Sequence, residues 1–170
     1  EDTKQILSQI SPSAIEQMDN SFNRTKLSSK SYGSEVNLSG IKMEATDLGT
    51  ILHHCYHALL VDSTLGDRVF TTLSGKLPQN VWDQIGNQVS SFKEYCTSEL
   101  QALNIQCEVP ILSKTEQGSV VSGSLDLLVE TDEGYWIVDH KSDRVDDFEE
   151  RFAHHYPQLE AYAKCTKLDK

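Results

Sequence analysis

Gly123-Ser-Leu-Asp126 is followed by Trp136-Ile-Val-Asp139-His-Lys141 and then by Gln158-Leu-Glu-Ala-Tyr162, so that two acids, a lysine and a glutamine stand at strand and helix spacings. Tyr135-Trp-Ile-Val138 is an apolar and aromatic run suited to a buried strand. Residues two apart on a strand share a face, so Asp139 and Lys141 are expected to point the same way. Asp126 interrupts a second apolar run at 125–129, and Thr131-Asp-Glu-Gly134 between the runs carries a tight-turn signal. Asp126 is therefore expected on a strand beside Asp139. Two carboxylates within reach of one cation, with an ammonium next to them, bind a hard divalent metal through oxygen and position a water beside it. An acid placed in an apolar strand without a partner is too costly to serve packing alone.

The elements that must hold these groups follow from hydrophobic periodicity. Thr46 is expected to N-cap a helix through about residue 60, with Leu48, Ile51, Leu52, Cys55 and Leu59 as its apolar stripe and His53 off the stripe's centre. Residues 62–77 are polar and broken by Gly66 and Gly75. A long amphipathic helix is predicted over 78–103, opened by Pro78 and striped by Trp82, Ile85, Val89, Phe92, Cys96, Leu100 and Leu103. Strands are predicted at about 105–112, 119–130 and 135–141. Residues 146–155 read as helical or irregular, and Pro157 is expected in the first turn of a final helix carrying Gln158 and Tyr162. Residues 1–45 alternate short helical signals, as at 13–18, with a polar run at 23–34 that reads as loop. The expected fold is α/β, a small mixed sheet flanked by helices, with the 1–45 segment packed on a core spanning 46–170.

With these pieces in order, the chain resembles the RecB-like branch of the PD-(D/E)xK nucleases. Its signature is G-x-x-D, then D-x-K on the neighbouring strand, then Q-x-x-x-Y on the following helix, preceded by a helical G-x-x-x-H that here reads Gly49-Thr-Ile-Leu-His53. One such match is weak, whereas several in register over roughly residues 45–165 are specific. The resemblance implies a restriction-endonuclease-like core and metal-dependent hydrolysis of DNA phosphodiesters. It implies His53, Asp126, Asp139 and the backbone carbonyl of His140 as ligands of Mg2+ or Mn2+, and Lys141 as the catalytic lysine. It implies further that Gln158 fixes the lysine or a water and that Tyr162 contacts the strand. An imidazole softens the ligand set, so Mn2+ is expected to bind at least as well as Mg2+.

Other residues carry weaker readings. His53, His54 and His57 cluster, and His57, one turn from His53 on the same face, is the substitute ligand if the register is shifted. Glu108 matches an acid that often precedes the first core strand in this branch, and reads equally well as a solvent-facing strand acid. His154 and His155, adjacent on a helix, are expected to point apart and to be structural or solvated.

Length fits one compact domain of 170 residues, and the start at Glu1-Asp-Thr, without an initiator Met or leader, leads us to expect a domain cut from a larger protein. The four cysteines show no C-x-x-C pair, so neither a zinc site nor a disulfide framework is indicated, and a reduced cytoplasmic compartment is expected. Some relatives carry an iron-sulfur cluster on cysteines grouped after the Q-x-x-x-Y helix. Only Cys165 follows it here, and no cluster is expected. No apolar stretch is long enough to span a membrane.

The net charge of -11 opposes strong duplex binding by this domain alone. The resemblance resolves this through context: in AddA- or RecB-type helicase-nucleases, which act in double-strand break repair and recombination, a motor in the same parent chain, with a second subunit expected in the assembly, delivers the DNA strand. The phosphate-binding glycine loop of such a motor does not occur in this sequence. The rival readings are a stand-alone CRISPR-associated or phage recombination exonuclease, and a module of this fold that binds DNA ends without cutting.

Overall fold

The computed structural model describes residues 33–73, 75–114, 120–141 and 147–166. The helical signal at 13–18 and nearly all of the polar run at 23–34 lie outside the described residues. The elements are α1 (Ala45–Val61), α2 (Ser63–Leu73), α3 (Gln79–Ser98), β1 (Asn104–Lys114), β2 (Val120–Thr131), β3 (Gly134–Val138) and α4 (Phe148–Thr166). This is the expected α/β arrangement of a small sheet with flanking helices. The sheet was expected to be mixed; among the described residues it is antiparallel in both pairings, in the order β1-β2-β3.

β2 is the central strand, and Leu125, Leu127, Leu128 and Val129 on it are all buried. The larger apolar cluster joins Ile51, Leu52 and Cys55 of α1 to Val81, Trp82, Ile85 and Val89 of α3 and to Leu127 of β2. Val36, Leu38, Ile41 and Met43, ahead of α1, pack against it. A smaller cluster of Ile111, Leu125, Leu128 and Tyr162 attaches α4 to β1 and β2. Among the described residues no helix is long and apolar enough to cross a membrane.

Several boundaries differ from the sequence reading, each for a local reason. Thr46 does not cap α1: the helix starts at Ala45 with Glu44 at the cap position, and Leu48 N–H already bonds the Glu44 carbonyl at 2.9 Å. Residues 62–77 are not irregular, because α2 occupies most of them. Asp62 Oδ1 accepts the Thr64 N–H at 2.8 Å in the manner of an N-cap. Gly66 serves close packing rather than a break, since a Cβ there would lie 2.6 Å from Leu59 Cδ2. α3 stops at Ser98 rather than 103 because Gln101 turns left-handed at φ 53, and Leu103 is left exposed, its N–H bonding the Glu130 carbonyl at 2.8 Å.

The run at 135–138 is not buried. β3 pairs only with β2 among the described residues, which leaves Tyr135 43% and Trp136 53% exposed. β3 also ends at Val138, so Asp139 and Lys141 lie just past the strand rather than on it. Pro157 is not in a first turn. Asp147 Oδ1 accepts the Glu150 N–H at 3.0 Å and starts α4 at Phe148, which leaves Pro157 buried in the helix interior. Its missing N–H costs one helical bond, and its ring is covered in exchange.

Candidate active site

Asp126 sits within β2, where the ladder continues on either side through Leu125–Val109 and Leu127–Val138. Its Oδ2 accepts the backbone N–H of His140 at 2.7 Å. The same oxygen lies 3.6 Å from His53 Nδ1 and 3.9 Å from His140 Nδ1. Burial pushes the Asp126 carboxyl above the usual carboxylate range and the charge of Asp139 adds to this, while the His140 N–H, His53 and Lys141 oppose it. Asp139 and Lys141 do share a side, with Lys141 Nζ 2.7 Å from Asp139 Oδ2. They do so as a side-chain ion pair, without a strand's pleat to align them. His53, rather than His57, faces the Asp126 carboxylate.

His140 joins the two halves of the site. Its ring stacks on Tyr56 with centroids 5.3 Å apart and planes 15° from parallel. Phe92 and His53 meet it edge-on at 6.4 Å and 6.1 Å. Enclosed in this way, the imidazole is pushed down to about 4, chiefly by burial and then by His53. Tyr56 donates its hydroxyl proton to Gln88 Oε1. Burial raises the Tyr56 hydroxyl to about 12, so it remains a donor at any working pH. None of Tyr56, Gln88 or Phe92 was singled out for the site from the sequence. The signal available was helical spacing: Tyr56 lies one turn beyond His53 on α1, and Gln88 lies one turn before Phe92 on α3.

On α4, Gln158 Nε2 donates to the Tyr162 hydroxyl oxygen at 2.9 Å, and both residues are buried. Tyr162 was expected to touch a bound strand, but at 5% exposure it presents almost nothing to one. Its hydroxyl is raised by burial, and the charges of Asp139, Asp126 and Lys141 all reach it, so α4 backs the site rather than rimming it. His154 and His155 do not point apart: their rings meet edge-on at 4.9 Å. His154 is exposed, whereas both ring nitrogens of His155 are buried without a hydrogen-bond partner. Burial lowers the His155 imidazole, and Lys141 adds to this.

Glu108 interrupts β1 at φ 51, and the pairing on either side sets it opposite Asp126. Its Oε2 accepts the Ser124 hydroxyl at 3.1 Å, and its charge reaches His140.

Among the described residues no three His, Cys, Asp or Glu side chains stand ready-made around a metal position. The Lys141 ammonium takes the place of a cation against Asp139. The donors nevertheless suit a hard divalent ion. Two carboxylates close enough for one to raise the other, with an imidazole beside them, carry an excess negative charge that a dication would neutralise.

Compared with known protein families, residues 9–169 match the model of the PD-(D/E)XK nuclease superfamily. No curated protein matches the chain.

Proposed function

This chain belongs to the PD-(D/E)XK nuclease superfamily, and on that premise we propose that it hydrolyses DNA phosphodiesters at Asp126, Asp139 and Lys141 with Mg2+ or Mn2+ bound. Members of the superfamily are generally nucleases and typically use these ions. The observation that carries the reading to this chain is the convergence of the two carboxylates, one bonded to the His140 amide and the other to Lys141.

His53, Asp126, Asp139 and the His140 carbonyl would hold the ion, which supplies polarisation of the scissile phosphate and a bound water of lowered pKa. Lys141 would turn from Asp139 to the phosphate, where its charge would offset the negative charge that grows as water adds to phosphorus and the bond to the leaving strand oxygen breaks. Gln158, its amide nitrogen anchored to Tyr162, would offer its amide oxygen to the lysine or the water. Burial of Asp126 strengthens every charge interaction in the site.

We assign the domain to a bacterial helicase-nuclease acting in break repair and recombination. The order of the motifs supports this, and so does the net charge of -11, which suits a nuclease handed its strand by another part of the protein. The test is cleavage of labelled single-stranded DNA in Mg2+ or Mn2+ against EDTA, beside an Asp139→Ala variant. Metal-dependent cutting lost in the variant is the expected result. DNA binding in Ca2+ without cutting in either active metal would make the domain a binding module instead.

A further inference from the structure

We propose that Tyr56 is a positioning residue for this site: through its stack on His140 and its bond to Gln88 it fixes the main chain at 139–141 against Asp126. The inference rests on the nuclease reading for its purpose, though not for its geometry. Residues 139–141 lie beyond Val138, the last residue of β3, and so have no sheet ladder of their own. Their described attachments are the His140 N–H to Asp126 at 2.7 Å, the approach of His140 Nδ1 to the same carboxylate at 3.9 Å, the Lys141–Asp139 pair at 2.7 Å and the packing of the His140 ring. The ion pair ties two members of the segment to each other and cannot locate it. Location must come from His140, and Tyr56 meets its ring nearly face to face at 5.3 Å.

Tyr56 is itself held at both ends. Its backbone belongs to α1, where the helical turn shared with His53 places one residue at the Asp126 carboxylate and the other under His140. Its hydroxyl is tied to Gln88 of α3, and the same helix sends Phe92 to the edge of the His140 ring. Lys93 Nζ bonds the Leu59 carbonyl at 2.8 Å and binds α3 to α1 beside it. The middle residue of the Asp139-His-Lys141 motif is thus a keystone gripped by two helices, and its amide aims at the other carboxylate. Partners of this kind, which orient a ligand without touching the ion, typically change metal affinity or activity by about ten- to a hundredfold when removed.

The experiment uses the full chain. The His140 amide proton, read in a 15N-labelled metal-free sample, should lie downfield because it bonds a carboxylate. It should move upfield in Tyr56→Leu and stay in place in Tyr56→Phe, which keeps the ring. Mn2+ affinity, titrated without DNA, should fall about tenfold or more in Tyr56→Leu, and Tyr56→Phe should recover most of it. In cleavage assays kcat should fall while KM for DNA holds. A residue that served packing alone would lower the melting temperature and leave the amide and the Mn2+ affinity where they were, which overturns the proposal. Should Tyr56→Leu not fold, Tyr56→Met, which keeps bulk on α1 but no flat ring under His140, carries the same test, and an unmoved His140 amide there overturns it equally. Because the amide and the titration involve no DNA, a wild-type chain that never cuts would defeat the nuclease reading and leave this inference standing.

Discussion

Asp126 and Asp139 face each other from two kinds of support. Asp126 lies in the central strand, with β1 paired on one side of β2 and β3 on the other, so the ladder and its register fix where its Cα stands. Asp139 follows the last residue of β3 and is held through its neighbour His140, whose N–H bonds the Asp126 side chain and whose ring stacks on that of Tyr56. The Cα of a residue in the sheet cannot shift without disturbing the whole strand, because a one-residue slip turns every side chain over. A segment held by side chains can be loosened one contact at a time. The two carboxylates, which we propose serve one chemistry, should therefore respond differently to mutation.

The largest effect expected is loss of cleavage to background in Asp126→Asn and in Asp139→Asn, assayed with Mn2+ on single-stranded DNA. Stability separates the two positions. Asp126→Asn keeps an acceptor for the His140 N–H and removes a buried charge, so the metal-free protein should melt no lower than the wild type. Asp126→Ala strands that amide and should cost about 1–3 kcal/mol relative to the asparagine variant. Equal melting temperatures for the two Asp126 variants would mean that the amide is satisfied elsewhere.

How much of this was legible in the sequence follows the same division. The α/β class, the apolar stripes of α1 and α3, the turn at 131–134 and the nearness of Asp126 to Asp139 all follow from local periodicity and turn chemistry, which a sequence carries openly. The exposure of Trp136 was not legible, since the composition of a strand does not reveal whether it lies at the edge of a sheet. Gly66 was read as a breaker because its close approach to Leu59 depends on how α2 crosses α1. Pro157 was read as a helix start because the Asp147 cap ahead of it was not recognised. The grip of Tyr56 on His140 links residues that are 84 apart in the chain, which no spacing rule reaches.

A second effect, of about 3 kcal/mol, tests the enclosure of His140. Its imidazole is pushed down to about 4 from an ordinary 6.5, so the unfolded chain takes up a proton before the folded one does. The stability contribution is fully present above pH 6.5 and is lost as pH falls through 4, by about 1.4 kcal/mol per pH unit between the two values. His140→Phe keeps a ring against Tyr56 and removes the proton. Its unfolding free energy in urea should therefore fall less steeply between pH 6.5 and 4 than that of the wild type. Parallel curves would show that water reaches the imidazole freely.

Next comes Lys141→Ala, which should slow cleavage about a hundredfold, the usual scale for removing one preorganised electrostatic group. Metal affinity should hold or rise, because the lysine occupies Asp139 in the metal-free protein and would no longer compete for it. A Mn2+ affinity that fell in step with the rate would make Lys141 part of the metal site rather than of the transition state.

The smallest effect sharpens the contrast between the strands themselves. Val129 and Trp136 pair across β2 and β3, yet Val129 is fully buried and Trp136 is more than half exposed. Val129→Ala should cost about 2 kcal/mol through lost burial and a residual cavity. Trp136→Thr keeps a β-branched residue on the edge strand and should stay within about 0.5 kcal/mol of the wild type, as exposed substitutions do. Cleavage by Trp136→Thr should be unchanged, even though it lies three residues from Asp139. That is the informative half of the comparison. If the edge strand itself placed Asp139, altering its packing so close to the carboxylate would slow the reaction. If the His140 grip places it, β3 can change its exposed face without consequence, and a rate loss in Trp136→Thr at unchanged melting temperature would return the positioning role to the strand.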